Sequence, residues 1–380
     1  MPRILHTADW QIGRQYTTFP EEDAVPLAEA RLAAVERLAR CATEQAVDAV
    51  LVAGDVFDVQ TVSERTLRQL FNALKGFAGP WVLMPGNHDA ALAESVWTRA
   101  QRLGVVPEHV HLALTPEPVC LPQAGLAVLP APLTQRHTFD DTTAWFDHAD
   151  TPTGLLRVGL AHGSVQGLLA EHIDSPNPIA ADRAERARLA YLALGDWHGC
   201  RQVDARTWYS GTPEPDRFRD NEAGMALLVD LPADGSLPDV TRLPIARHRW
   251  ISLEAPLQVG SDVQALADTL RGLPDGAVVQ LELQGALDLP GHQALRTALA
   301  EAAARWRHLD APLDAVRLVP SDDDLAQLKA DGYLAQVIQE LRDGQLGHGP
   351  LAGEAGRQVV CREALAVLAG LLAERQGGAA

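Results

Sequence analysis

The chain has 380 residues, 47% hydrophobic and 22% charged, so it is globular and too long for a single ordinary core. Its 32 basic and 50 acidic residues leave a formal charge of −18, which excludes a protein that coats DNA by its own charge. No apolar stretch is long enough to span a bilayer, and Met1-Pro2-Arg3-Ile4 enters the first strand at once, so neither a membrane anchor nor a signal peptide is expected.

In chain order, Ile4 to Ala8 predicts a buried strand and Leu27 to Val47 an amphipathic helix, with Leu27, Ala30, Ala34, Leu38 and Ala42 on one stripe. Val50 to Ala53 is a second strand. Thr61-Val62-Ser63-Glu64 has the spacing of a capping box and opens a helix with Leu67, Leu70, Phe71 and Leu74 on its apolar face. Trp81 to Met84 is a third strand. Strands alternating with helices imply parallel pairing through crossovers. His111 to Leu133 predicts short strands, and Thr134 to Gly154 a loop with a short helix around Trp145-Phe146. Val158 to Ala161 and Tyr191 to Leu194 are further strands. Met225 to Asp230 and Asp239 to Leu243 predict a hairpin with a long turn.

Past Ile245 the rhythm restarts: a strand at Trp250 to Leu257, a helix at Val263 to Arg271, a strand at Ala277 to Leu283, a long helix at His292 to Leu309 and a strand at Ala315 to Val319. Two amphipathic helices follow, Asp323 to Leu341 and Arg357 to Arg375, joined by a Gly-rich linker, Asp343 to Gly356. The expected domains are therefore 1–244, a cap at 245–320, and a helical segment at 321–380.

Five of the apolar runs end in residues that bind metals: Asp9, Asp55, Asn87 with His88, His162, and Asp196 with His198. Buried strands of one sheet would deliver these ends to a single edge, where α/β proteins place their chemistry. Asp, Asn and His converging there read as a metal site, and so many ligands exceed one ion's needs, so two cations are expected. Each residue alone has an ordinary reading: Asn in a turn, or His as a bonded structural group. Cys41, Cys120, Cys200 and Cys361 form no CxxC pair, which suits a reducing cytoplasm and argues against zinc–thiolate chemistry.

With Ile4-Leu5-His6-Thr7-Ala8-Asp9-Trp10, Gly54-Asp55-Val56-Phe57-Asp58, Gly86-Asn87-His88-Asp89, Ala161-His162-Gly163, Gly195-Asp196-Trp197-His198 and Tyr209-Ser210-Gly211-Thr212-Pro213 in this order, the chain resembles the calcineurin-like metallophosphoesterase superfamily, and within it the SbcD-type DNA repair exonucleases. The resemblance covers roughly the first 60% of the chain. It implies an α/β metallophosphoesterase sandwich of mixed sheets flanked by helices, with a small α+β cap domain and C-terminal helices.

The resemblance also implies roles. Asp9, Asp55 and His198, with Gln11, would hold a first metal, and Asp55 would bridge. Asn87, His162 and Asp196 would complete the second, and His88 would be the catalytic histidine. Asp89 would act behind the ligands, and Tyr209, Ser210 and Gly211 would lie near the substrate; Asp58, three residues after Asp55, reads either as a group that orients a ligand or as a helix-start or loop carboxylate. The family pattern has histidines where this chain has Gln11 and Asp196. More oxygen donors favour Mn²⁺, or else Mg²⁺, over Zn²⁺. Either the first cation arrives with substrate or activity is lost; the retained Asp55, His162, His198 and His88 favour activity.

Other residues have two readings. His6 reads as a buried structural histidine. Arg183, Arg186 and Arg188 read as a solvated helix face or a phosphate-contact patch. Trp197 would stack a base or pack on the cap. His111, His137, His148 and His172 fit no ligand spacing. The expected function is a cytoplasmic, metal-dependent DNA exonuclease. By resemblance it would pair with an SMC-like coiled-coil ATPase and would form a homodimer; the Val360, Ala364, Val367, Leu368, Leu371 and Leu372 stripe would serve either to dock that partner or to pack the tail helices on the cap. A phosphoesterase on a small phosphodiester and a catalytically silent scaffold for DNA ends or the ATPase are the alternatives.

Overall fold

The structure is a computed structural model that describes residues 1–167, 176–327, 332–348 and 356–377. It divides into two compact units, Met1–Arg249 and Trp250–Ala380. His172 and part of the Asp343 to Gly356 linker lie outside the described residues.

The first unit opens with β1 (Arg3–Thr7), α1 (Glu21–Glu44), β2 (Ala49–Ala53), α2 (Glu64–Leu74), β3 (Trp81–Met84), α3 (Val96–Arg102) and β4 (Val110–Leu112). It continues with β5 (Val119–Leu121), β6 (Leu126–Ala131), β7 (Leu156–His162), β8 (Ser164–Val165), β9 (Pro178–Ile179), α4 (Arg183–Arg186), β10 (Tyr191–Gly195), β11 (Arg201–Gln202), β12 (Thr207–Tyr209), β13 (Met225–Asp230) and β14 (Asp239–Pro244).

Two six-stranded mixed sheets form the body. One has the order β14-β13-β1-β2-β3-β4, the other β11-β12-β10-β7-β6-β5. β1 to β4 pair in parallel, as expected of strands joined by crossover helices, and the β13–β14 hairpin adds antiparallel to β1. β2 is buried along its whole length because both of its faces are covered. Val50 and Val52 pack toward α1 and α2 with Leu38, Leu67 and Phe71. Ala49, Leu51 and Ala53 pack the other way, with Leu126, Val158, Leu160 and Ala193 of the second sheet.

This layering corrects one expectation. The five ligand-bearing ends do not belong to one sheet: β1, β2 and β3 are in the first, β7 and β10 in the second. Apolar runs buried on both faces look alike in sequence whichever sheet they join. Two local expectations also shift. The second helix is capped by Ser63, whose side chain accepts from Thr66 N, rather than by a Thr61–Glu64 box. The first helix begins earlier than Leu27, with Glu21, Glu22 and Asp23 in its first turn, where acidic groups suit the helix dipole.

The second unit contains β15 (Trp250–Leu257), α5 (Gly260–Arg271), β16 (Val278–Leu287), α6 (Leu289–Ala303), β17 (His308–Asp310), β18 (Val316–Leu318), α7 (Asp322–Gln327), α8 (Tyr333–Gln345) and α9 (Arg357–Gly377). Its four strands are all parallel, with β17 and β18 both pairing to β16. Leu266 and Leu270 of α5 and Leu295 and Leu299 of α6 share a core with Val279, Leu281 and Leu283. The long helix expected to Leu309 ends at Ala303, and His308–Asp310 joins the sheet instead. Ala-rich composition carries no stop signal, and the sheet edge supplies one. Leu365 and Ala369 of α9 share a small core with Ile338 of α8 and Leu325 of α7, whereas Val360, Val367 and Leu371 are exposed. Of the stripe read in the sequence, Leu368 and Leu372 also pack against this core, whereas its other large residues turn outward. Among the described residues no helix is long and apolar enough to cross a membrane.

Candidate metal centre

The ends of β1 and β2 continue side by side beyond their strands. Asp9 N donates to Gly54 O at 3.1 Å, Gln11 N to Asp55 O at 2.9 Å and Ile12 N to Val56 O at 2.9 Å. Asp9, Gln11, Asp55 and Asp196 all have positive φ, at 55°, 45°, 51° and 93°. Such backbone is costly for residues with a Cβ, and four cases at one place mark a functional loop cluster. Gly86 leaves room for a carboxylate: a Cβ there would lie 2.3 Å from Asp55 Oδ1.

Asp9, Asp55 and His162 bring one ligand atom each within 4.8 Å of one another, and all three are buried. His162 Nε2 lies 3.6 Å from Asp55 Oδ1 and 3.7 Å from Asp196 Oδ1. Its Nδ1 is 2.8 Å from Ala53 O, an acceptor, so Nδ1 carries a proton and Nε2 faces the centre. Asn87 Oδ1 sits 2.9 Å from that Nε2. In the swapped orientation the Asn87 amide would instead donate to Nε2 and to both Asp55 oxygens. Asp196 N donates to Asp9 Oδ1 at 3.1 Å, tying the second sheet to the first.

The electrostatics call for positive charge here. Burial lowers the affinity of His162 for a proton, but Asp55, Asp9 and Asp196 together outweigh it and lift its pKa to about 9. Burial, reinforced by Asp55 and Asp196 against the pull of His198 and His162, raises Asp9 to about 6. A site that takes up protons among converging carboxylates fits a divalent cation held by Asp9, Asp55, Asn87, His162 and Asp196.

His198 and Gln11 lie beside this cluster in a different state. Gln11 is buried, its Oε1 accepts from Arg14 Nη1 at 2.8 Å, and its Nε2 lies 3.2 Å from His198 Nε2. Arginine cannot accept a hydrogen bond, so the amide orientation is fixed: oxygen toward Arg14, nitrogen toward His198. His198 Nε2 must then accept, and its Nδ1–H donates to Asp216 Oδ1 at 3.1 Å. Arg217 Nη2, 2.9 Å from the same Nδ1, finds its acceptor in Asp216 Oδ2 at 2.9 Å.

His88 donates Nδ1–H to Asp58 O at 2.9 Å, while its backbone N donates to Asp55 Oδ1 at 2.9 Å. Asp58 therefore orients His88 through its carbonyl, and its carboxylate pairs with Arg14 at 3.3 Å. Asp89 is buried behind the loop and accepts from Gly86 N and Phe57 N; burial and the nearby Asp55 charge push it up to about 8. Tyr209 and Ser210 are buried, the former donating to Gly163 O at 2.7 Å. Gly211 has φ +74° where a Cβ would meet the backbone of His198, Gly199 and Cys200, and Thr212 N donates to His198 O. These residues brace the His198 loop from below.

His6 is fully buried between Tyr191 OH at 3.0 Å and Leu194 O at 3.2 Å, and burial lowers its pKa to about 3. Arg183 is buried and pairs with Asp141 and Asp147, which Arg186 also reaches, so these two are spent on structure and not on a phosphate patch. Asp216, Arg14 and Arg217 were missed in the sequence. The only signal was their nearness to motif residues, Arg14 to Gln11 and Asp216 to the Gly211-Thr212-Pro213 turn. A cavity of about 250 Å³ reaches the centre at Asp196 and is lined also by Gln11, Arg14, His88, His198, Arg217 and Arg219.

The profile of the family described as calcineurin-like phosphoesterase matches residues 2–183. This chain carries a calcineurin-like phosphoesterase domain. The family uses divalent metals, in keeping with the Asp9, Asp55 and His162 cluster in this phosphoesterase domain. Similar proteins include the SbcD component of nuclease SbcCD from Rhodobacter capsulatus, 45% identical over 94 residues, covering 23% of this chain and 22% of that one. The SbcD component of nuclease SbcCD from Bacillus subtilis is 27% identical over 266 residues, covering 60% and 65%. The DNA double-strand break repair protein Mre11 of Aeropyrum pernix is 28% identical over 290 residues, covering 69% and 66%. The matched part is thus less than two thirds of the length of each of these relatives.

Proposed function

We propose that this chain is a metal-dependent DNA exonuclease that hydrolyses phosphodiester bonds. The observation that carries the reading is the convergence of Asp9, Asp55, Asn87, His162 and Asp196 below a cavity that also presents His88 and three arginines. A divalent cation, Mn²⁺ in the first instance, would be held by those five residues and would supply Lewis-acid chemistry at the phosphate. His162 offers Nε2 because Ala53 O holds the proton on Nδ1. His88, anchored at Nδ1 by Asp58 O, would hold a proton at Nε2 for the departing oxygen when doubly protonated. Arg217 and Arg219 would bind phosphate oxygens at the cavity. Trp197, half-buried with Arg201 stacked 5.6 Å from its ring centroid, offers a face for a base.

The charge of −18 supports work in a complex whose partner brings DNA affinity. The resemblance to SbcD-type nucleases points to an SMC-like coiled-coil ATPase in the cytoplasm. Val360, Val367 and Leu371 on α9 are exposed and available to such a partner.

The test is purified protein with Mn²⁺ on end-labelled linear DNA and on a chromogenic phosphodiester, beside Asp55→Ala and His88→Ala. Shortening of the DNA, abolished by Asp55→Ala and strongly slowed by His88→Ala, is expected. Cleavage of only the chromogenic ester transfers the reading to a small-phosphodiester phosphoesterase. Cleavage of neither at any metal ends the enzyme reading.

A further inference from the structure

The sequence predicts two cations, one of them held by Asp9, Gln11, Asp55 and His198. The side chains at that position do not fit one. A ligand must turn a lone pair to the ion, but the His198 Nε2 lone pair is 3.2 Å from Gln11 Nε2 and accepts from it. The Gln11 oxygen, the only atom of that side chain able to ligate, is taken by Arg14 Nη1 at 2.8 Å. Neither bond is a loose surface contact. Gln11 is 1% exposed, and its backbone N is fixed to Asp55 O at 2.9 Å. Arg14 is itself held by Asp58 at 3.3 Å and Asp216 at 3.4 Å. His198 is held from behind by Asp216. Positive charge is already supplied there by the Arg14 guanidinium.

We propose that this centre is built for one divalent cation, held by Asp9, Asp55, Asn87, His162 and Asp196, and that Gln11 with Arg14 behind it takes the place of a second. Arg14 lines the same cavity as His88 and Arg217, so its guanidinium would lie within the same pocket as a phosphate bound there. A fixed guanidinium can bind and neutralise a phosphate oxygen, but it cannot act as a Lewis acid toward water. The phosphodiesterase reading enters only through the phosphate; the count of cations stands apart from it.

The experiment is a Mn²⁺ titration of metal-stripped full-length protein by calorimetry, with electron paramagnetic resonance of the same samples. The expected result is one equivalent per chain and the hyperfine pattern of isolated Mn²⁺. Two equivalents of affinity within about tenfold of each other, with an exchange-coupled spectrum, overturn the proposal. Gln11→His restores an imidazole and is expected to add a second equivalent and the coupled spectrum; a folded variant that still takes one shows that Gln11 is not the limit and overturns its assignment. Arg14→Met tests the guanidinium without relying on the other variant. Inorganic phosphate is expected to compete about tenfold more weakly, with one Mn²⁺ retained, and unchanged competition overturns the role of Arg14. One bound Mn²⁺ without DNA cleavage sinks the nuclease reading alone. Cleavage with two sinks only the single-cation centre.

Discussion

His162, the last residue of β7, donates its Nδ1–H to the carbonyl of Ala53, the last residue of β2, at 2.8 Å. One bond thus joins the C-terminal ends of the two sheets and sets which nitrogen faces the centre. Gly54 makes it possible. It has φ +90°, and a Cβ there would lie 2.3 Å from His162 Nδ1. Gly54→Ala should therefore turn the imidazole away and weaken Mn²⁺ binding by about 10–100-fold, the range for loss of a ligand's supporting contact. Calorimetric titration checks this; unchanged affinity would mean that the imidazole tolerates the methyl group.

The same histidine makes cation binding depend on pH. Its pKa of about 9 means that below that pH the metal-free centre holds a proton on His162 which the cation must displace. Apparent Mn²⁺ affinity should rise about tenfold per pH unit up to about 9 and then level off. Below about 6 the protonation of Asp9 should steepen the dependence. Titrations in buffers of different ionisation enthalpy count the protons released. In His162→Gln the proton release near neutral pH should fall by about one per cation bound, whatever affinity remains.

Much of this was legible in the sequence because buried parallel strands are short apolar runs and the residues just past them are polar for a reason. Asp9, Asp55 and His162 stand out in this way. What periodicity cannot encode is which sheet a doubly buried strand joins, and so the expectation of one sheet failed for β7 and β10. Nor can it show where a side chain spends its hydrogen bonds. Gln11 reads as a weak ligand until Arg14 and His198 are seen on its two ends. Asp216 joins His198 across 18 residues, and no local pattern announces that pair.

His6 gives a stability prediction with a definite sign. Its pKa is lowered to about 3 by burial, so the folded state keeps it neutral where an unfolded chain would protonate it. The stability it contributes is full above about 6.5 and is lost as pH falls from there toward about 3, at about 1.4 kcal/mol per pH unit. His6→Gln should be less stable at neutral pH, because the bonds to Tyr191 and Leu194 are disturbed, yet its Tm should fall less between pH 6.5 and pH 5. Parallel Tm-against-pH curves for the two proteins would contradict this account.

Asp216 carries the largest share of the charge pairing behind the centre. Burial alone would raise its pKa, but hydrogen bonds from His198 and Arg217 and the charge of Arg31 hold it well below the usual carboxylate range. Arg31 and Asp216 side chains are each 1% exposed and 4.0 Å apart. Asp216→Asn would leave the Arg31 guanidinium buried without its counter-charge, at a cost on the order of 3 kcal/mol. The depressed carboxylate stabilises the fold above its unfolded pKa near 4 and loses that contribution as pH falls below it. The variant should therefore show a lower Tm at pH 7 and a shallower acid-side decline than the parent. The substitution also weakens the grip on His198 Nδ1, so the imidazole is freer to rotate away from Gln11. Nitrogen-15 NMR of the histidines reads that directly: the His198 tautomer should be fixed in the parent and mixed in Asp216→Asn, and a tautomer unchanged by the substitution would mean that Gln11 alone sets it.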